Sequence, residues 1–315
     1  AREELKAILE KKPTNKHAQR LQRAFEVEEM STVTVSGSYT TEWPGDEEFT
    51  LSLRGDQPVG FHHNLFAEII RRETNQVDGN EIARKFRIGD EWQVNNAWRL
   101  VGALTGDYEE TDELGFLGEV RYQPDDHWTF DFGYESNTLD IPSRSRADGV
   151  EADRYTLSAT YRASEVFDTT LGVSYKDFTD DNEYFNYFWR TDTALTTSAY
   201  WKTRLGTEFS YETFADQDVG YFSPEEVYSF YLVPMVEHTW FRRYDKAWVD
   251  RMYVGVGKKW QDNFGSSDVG YIRYEQDHQF SDTKSWLIGA TYSMNEYDGE
   301  GTDALNVYTT LRFKF

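Results

Sequence analysis

The chain has 315 residues, 38% of them hydrophobic, and a formal net charge of -23 from 33 Lys+Arg against 56 Asp+Glu. That sign repels phosphate and excludes a nucleic-acid partner, while an aromatic content of 17% argues against disorder. The absence of cysteine removes disulfides and thiolate chemistry, and with a mean hydropathy of -0.74 no run of about 18 apolar residues is available for a transmembrane helix.

A membrane barrel stays open, because its strands meet lipid only at every second residue. The first stretch is helical in pattern: Leu5, Ile8 and Leu9, then Leu21, Ala24 and Phe25, recur at helical spacing, with Pro13 between them and Thr14 or Asn15 as the cap of a second helix. So short a pair has too little apolar surface to be a domain. Residues 1–30 therefore read as the end of a larger upstream region, and a chain that starts at Ala1 without a signal peptide reads as processed or partial.

After Met30 the period becomes two, the repeat of a β-strand. "TVTVSGSY" puts Val33, Val35, Gly37 and Tyr39 on one face, and "EFTLSL" does the same with Phe49, Leu51 and Leu53. Residues 56–112 are ambiguous, since "FHHNLFAEIIRRETNQ" also fits an amphipathic helix. Glu113 to Glu135 forms a hairpin about "PDD", with Phe116, Val120, Tyr122, Trp128, Phe130, Phe132 and Tyr134 outward. A second hairpin joins "RYTLSATYR" to "VFDTTLGVSY" through Ala163 to Glu165, and a third joins "LTTSAYW" to "LGTEFSYETF" across Lys202 and Thr203. Strands are expected at Val227 to Arg242, Val249 to Gln261, Ser267 to Phe280 and Ser285 to Asn295, before the terminal "LNVYTTLRFKF".

The total is about sixteen antiparallel strands of roughly 9 to 16 residues, an even number that places both ends of an all-β transmembrane barrel (31–315) on one side. Tight links ("GDQPV", "VNN", "PDD", "ASE", "KT", "RRYDKA", "SDT") alternate with longer polar ones ("NTLDIPSRSRADGVEA", "TDDNEYFNY", "ADQDVGYFSPEE"). That asymmetry is the one outer-membrane barrels show, with the short side periplasmic. Tyr39, Trp98, Trp128, Tyr134, Tyr155, Tyr161, Tyr175, Tyr211 and Trp240 near strand ends suit interfacial girdles. A soluble β-sandwich also uses aromatics freely, but it needs two opposed apolar faces and a fuller core.

The alternate face of each strand would line the lumen, and there the chain places Glu113, Glu119, Asp131, Glu135, Asp168, Glu208, Glu212, Glu237, Glu275 and Asp277. Arg121, Arg162, Arg273, Arg312 and Lys314 share that face, and the residual sign is expected to be negative, favouring cations in a water-filled tube. Inward Tyr231, Tyr253, Tyr271 and Tyr308 suit stacking on sugar faces or packing against a plug. No H-E-x-x-H, G-x-S-x-G or P-loop occurs. His278 beside Asp277 is the one pair worth inspecting for hydrolytic chemistry, and Asp177, Asp180, Asp181 and Glu183 form an acidic loop group able to hold a divalent cation or simply to be solvated.

The helical lead-in, the "GYFSPEE" loop from Gly220, the "FRRYDKAWVDRMYVGVGKKWQ" segment and the final "LRFKF" together resemble the exopolysaccharide export porins of the PgaA (HmsH) family. The resemblance implies a periplasmic tetratricopeptide-like superhelix ahead of a Gram-negative outer-membrane barrel. It also implies export of partly de-N-acetylated, cationic poly-β-1,6-N-acetyl-D-glucosamine for biofilm formation, with a cation-selective diffusion porin as the alternative. The partners implied are that polymer, the bilayer with its lipopolysaccharide, a periplasmic deacetylase, the upstream helical repeats and the outer-membrane assembly machinery. Phe313 and Phe315 are the candidate signal for that machinery, and a monomer without cofactor or enzymatic activity is expected.

Overall fold

The computed structural model describes residues 2–43, 45–76, 79–107 and 114–315. Helices α1 (Arg2–Lys11) and α2 (Lys16–Glu28) lead in, and Leu5 and Ala18 are buried. Asn15 is the cap: its Oδ1 accepts the N–H groups of His17 and Ala18 at 3.1 and 3.3 Å, two donors the first turn of a helix leaves unsatisfied.

Sixteen strands follow, each antiparallel to its neighbours. They are β1 (Thr32–Glu42), β2 (Asp46–Val59), β3 (His63–Gln76), β4 (Gly79–Gln93), β5 (Trp98–Asp107), β6 (Leu114–Tyr122), β7 (Trp128–Glu135) and β8 (Ala152–Arg162). The second half is β9 (Phe167–Phe178), β10 (Glu183–Thr197), β11 (Trp201–Phe214), β12 (Val227–Arg243), β13 (Lys246–Gln261), β14 (Gly265–Ser281), β15 (Lys284–Tyr297) and β16 (Glu300–Lys314). Thr32 pairs with Lys314 and Glu42 with Ala304, so β16 closes on β1 and no sheet edge is left.

The side that carries α2 has tight turns throughout, but two of them lie elsewhere than expected. "GDQPV" ends β2, and its turn is Gly60 to His62, where Gly60 supplies a φ of +66°. Lys202 and Thr203 are strand residues; the turn is Ser198 to Tyr200, closed by Ser198 N–H to Trp201 C=O at 2.8 Å. On the far side only 136–151, which contains helix α3 (Ser143–Ala147), and 215–226 are long among the described links. Most of "TDDNEYFNY" belongs to β10, and "FHHNLFAEIIRRETNQ" is strand β3 rather than a helix.

Alternation sorts the side chains as a barrel wall requires. Leu51, Leu53, Leu65, Ile69, Ile88, Leu104, Leu157, Leu171 and Ile272 are exposed on the outer surface. Two aromatic tiers bound this band. On the α2 side Trp98 stacks on Tyr122 at 4.3 Å, Trp128 meets Tyr161 at 4.7 Å, and Trp240 lies beside Trp248; on the far side Tyr134, Tyr155 and Tyr175 form a chain, as do Tyr211, Tyr228 and Trp260.

Helix α2 is fixed to the wall's turns. Arg23 donates to both carboxylate oxygens of Asp282 in the β14–β15 turn, at 2.6 and 3.2 Å, and Arg20 lies over the Tyr244 ring in the β12–β13 turn. The bond from Arg23 holds the Asp282 carboxyl below its usual range. A value lowered in the folded state means that this contact stabilises above about pH 4 and fades only as pH falls through the lowered value. Arg23→Ala is expected to leave global stability nearly unchanged, because the pair is exposed, and to speed amide exchange along Lys16–Glu28 in a hydrogen-exchange experiment.

Candidate lumenal site

The strand register puts Glu119, Asp131, Glu135, Asp168, Glu208, Glu212, Glu237, Glu275 and Asp277 on the inner face of the wall, opposite in parity to the exposed apolar set. Glu113 lies outside the described residues. Phe313 faces outward on β16, and the Phe315 N–H bonds Ser31 C=O at 3.0 Å.

Most of these carboxylates do not stand alone. Asp131 takes Arg121 at 2.6 Å, Arg204 bridges Asp168 and Asp192, and Glu237 is shared by Lys202 at 2.6 Å and Arg251 at 3.0 Å. Arg251 continues to Asp277 at 3.4 Å, and Glu275 accepts the Tyr308 hydroxyl at 2.7 Å. Tyr184 hydrogen-bonds Glu212. Among the described residues, Glu119 and Glu208 form no ion pair.

The acidic excess on the inner face is small. Reading the inner face along the described strands, basic residues nearly balance the acidic ones, because Arg54, Arg87, Arg99, Arg190, Arg204 and Arg251 point inward too. The α2-side entry is a cavity of about 630 Å³ whose lining includes Arg54, Arg99, Arg312 and Lys314 beside Asp56 and Glu91. A large share of the chain's acidic surplus lies on the far-side links. There Asp140, Asp148, Glu151, Asp180, Asp181, Asp216, Asp218, Glu225, Glu226, Asp262 and Asp298 face only Arg144 and Arg146 among the described link residues.

The inner tyrosines occupy space that glycines leave open. Tyr271 lies over Gly255, Tyr231 over Gly257 and Tyr308 over Gly289, each position where a Cβ would collide with the ring. A glycine across from each ring therefore fixes how far the phenol leans along the wall.

Two features escaped the sequence reading. Lys85 and Glu135, both nearly fully buried, meet at 2.9 Å, and Glu135 also accepts from Arg87 and from Arg154 at 3.0 Å. Lys85 further donates to Asn137 C=O at 2.7 Å, and Arg146 reaches Glu81 at 2.9 Å, so the 136–151 loop is tied inside the wall to β4. Asn182, fully buried, donates to Asp216 C=O, the Tyr221 hydroxyl and Ser223 Oγ at 3.0–3.1 Å, and its Oδ1 accepts the N–H of Glu183 and Asp216. Ile141, Tyr221, Phe178, Phe214 and Ala152 then form one apolar cluster, which joins the two long loops to each other and to the wall. Burial in it pushes the Tyr221 hydroxyl up to about 12.

His278 and Asp277 face opposite sides of β14: Asp277 pairs with Arg251 inside, and His278 stacks on Trp248 and Trp286 outside. They make no catalytic pair. Asp180 accepts from Tyr221 OH and from Asn182 N–H, so that part of the acidic loop serves the cluster.

The comparisons with known proteins bear on this wall directly. Residues 34–315 match the PgaA membrane beta barrel domain. The chain belongs to this family. It is 23% identical over 98% of its length to the poly-beta-1,6-N-acetyl-D-glucosamine export proteins of Escherichia coli strain K12 and of Escherichia coli O157:H7. It spans 39% of the length of each. A solved bacterial polysaccharide outer membrane secretin superposes with a TM-score of 0.83 over 91% of this chain and 99% of that one, at 19% identity. Pseudomonas putida OprB superposes less well, with a TM-score of 0.52 at 8% identity over 93% of this chain and 96% of that one. This PgaA-family barrel is an outer-membrane protein, its tight turns periplasmic and its long loops extracellular. By name these relatives are export and secretion proteins, not enzymes.

Proposed function

We propose that this barrel is the outer-membrane conduit of a polysaccharide exporter, passing partly de-N-acetylated, cationic poly-β-1,6-N-acetyl-D-glucosamine for biofilm formation. The observation that carries the reading is the match to the PgaA barrel across residues 34–315, supported by the name of the Escherichia coli relatives. A free glucosamine amine is protonated near neutral pH. Such a polymer suits a wall whose carboxylates are mostly half-neutralised by arginine, because each contact stays weak enough to release the chain, with Glu119 and Glu208 unshared and an acidic surplus waiting at the exit.

Residues 1–30 are read as the end of a periplasmic tetratricopeptide-like region that brings the polymer and its deacetylase to the entry. Residues 31–315 act as a monomeric barrel among phospholipid and lipopolysaccharide. Phe313 and Phe315, on the closing strand, are read as the segment offered to the assembly machinery. No bond chemistry and no cofactor are assigned to the chain.

Secretion by cells carrying Glu119→Gln and Glu208→Gln together with Asp131→Asn, Asp168→Asn and Asp277→Asn tests the electrostatic part. A fall of severalfold in exported polymer at equal barrel abundance is expected, and unchanged export would sink it. The alternative, a cation-selective diffusion porin, predicts a large steady conductance from the wild-type barrel, against which the two long loops packed inside the wall argue.

A further inference from the structure

Among the described residues of the periplasmic aromatic tier, the outer surface carries a carboxylate, Asp250, that forms no ion pair. Asp250 on β13 faces lipid within the periplasmic aromatic tier, in a polar row with His238 and Gln276, between Trp248 and His278 below and Met252 and Tyr274 above. Its Oδ2 accepts the Trp240 indole N–H at 2.7 Å and the Tyr274 hydroxyl at 2.7 Å, and its Oδ1 accepts the Trp248 indole N–H at 3.1 Å. Gln276 in turn donates to the Tyr274 oxygen at 2.9 Å, fixing that phenol as a donor to Asp250.

All three partners are neutral donors. Indole N–H groups only donate, so the arrangement orients the carboxylate yet supplies no opposite charge. His238 pairs across from Asp250 but is stacked between Trp201 and Trp240 and forms no ion pair with it, nor does any other described residue. An unpaired carboxylate on a lipid-facing wall destabilises the barrel, and three neutral donors leave its charge uncompensated. Asp90, on β4 in the same tier, shows the contrast: there the protein provides its own partner, His63 Nδ1 at 2.6 Å, stacked on Trp92.

We propose that Asp250 with Trp240, Trp248 and Tyr274 is a binding site for a phospholipid of the periplasmic leaflet whose headgroup carries a primary ammonium. The remaining lone pair of Oδ1 takes an ammonium N–H, and the two indoles, their centroids 6.1 Å apart and Trp240 59% exposed, offer ring faces to the cation. Trp240 and Trp248 therefore act twice, holding the carboxylate through N–H and the lipid through the ring.

The test is native mass spectrometry of the whole chain released from an equimolar mixture of phosphatidylethanolamine and phosphatidylglycerol. Wild type is expected to retain the ethanolamine lipid in preference by about tenfold, the scale of one charge-assisted contact. Asp250→Asn, which keeps volume and one acceptor, is expected to lose that preference while keeping the heat-modifiable gel mobility of a folded barrel. Asp90→Asn, whose histidine partner remains, is expected to keep it. Equal retention by wild type and Asp250→Asn overturns the proposal, as does equal loss in Asp90→Asn. A preference abolished by EDTA also overturns it, because the carboxylate then takes a divalent cation rather than the ammonium.

Discussion

Glu135→Gln is expected to release the 136–151 loop and raise single-channel conductance severalfold. In the wild type this one carboxylate is the common acceptor of Lys85, Arg87 and Arg154, and it also bonds the Thr138 hydroxyl at the start of the loop. An amide keeps the shape but withdraws the negative charge, leaving Lys85 buried beside two guanidinium groups. Removing one member of a buried pair typically costs about 3–5 kcal/mol, more than the few contacts of a loop end can absorb. Lys85 must then turn toward water, and its bonds to the Ser136 and Asn137 carbonyls go with it. Planar-bilayer recordings check this, and a conductance equal to wild type would show that the loop is held by its apolar cluster alone.

The second large effect is expected from Asn182→Ala. Its amide satisfies five partners at a fully buried position: the Asp216 carbonyl, two hydroxyls and two backbone N–H groups. Truncation strands several of these away from water, at about 1–3 kcal/mol for each group left unsatisfied. Loop 215–226 is expected to become susceptible to protease while the strands keep their amide protection. Tyr221→Phe removes only the hydroxyl bonds to Asn182 and Asp180 and is expected to give a milder form of the same result. Protection of the loop unchanged in Asn182→Ala would mean that Ile141, Phe178, Phe214 and Tyr221 suffice to hold it.

The strand count, the outward and inward parity and the closing of β16 on β1 were legible because a wall with lipid on one face and water on the other imposes period two on nearly every strand. The errors fall where that contrast weakens. In β3, Phe66 and Ile70 point inward and are buried, Phe66 against Ala103 and Leu117, so the segment is apolar on both faces and imitates a helix. Before the third hairpin's turn, a register shift between Ala194 and Thr196 breaks the alternation, and the phase carried past it moved the expected turn from Ser198 to Lys202. In "GDQPV", Pro58 is paired with Asn64 at the end of β2, where a missing N–H is tolerated, so this link is strand rather than turn.

The lumenal site was legible one residue at a time but not as a field. Parity alone marks Asp168 or Glu237 as inward; it does not reveal that Arg204 or Arg251 reaches across from another strand to share it. Composition shows the net charge of -23 but not its location, and only the three-dimensional placement shows how strongly acidic the extracellular links are. The loop latch was hidden for a similar reason, since Lys85 and Glu135 are 50 residues apart in the chain and neither sits in a motif.

For the cationic polymer proposed as cargo, the uneven distribution of charge between the two mouths gives the tube a direction without any moving part. Mixed charge at the periplasmic entry gives a polycation no strong place to rest, whereas carboxylates around the extracellular exit lower its potential energy there. Thermal sliding of such a chain is then biased outward, and a segment that has emerged is slow to fall back. The barrel would work as a passive rectifier, its sense set by which loops carry the aspartates.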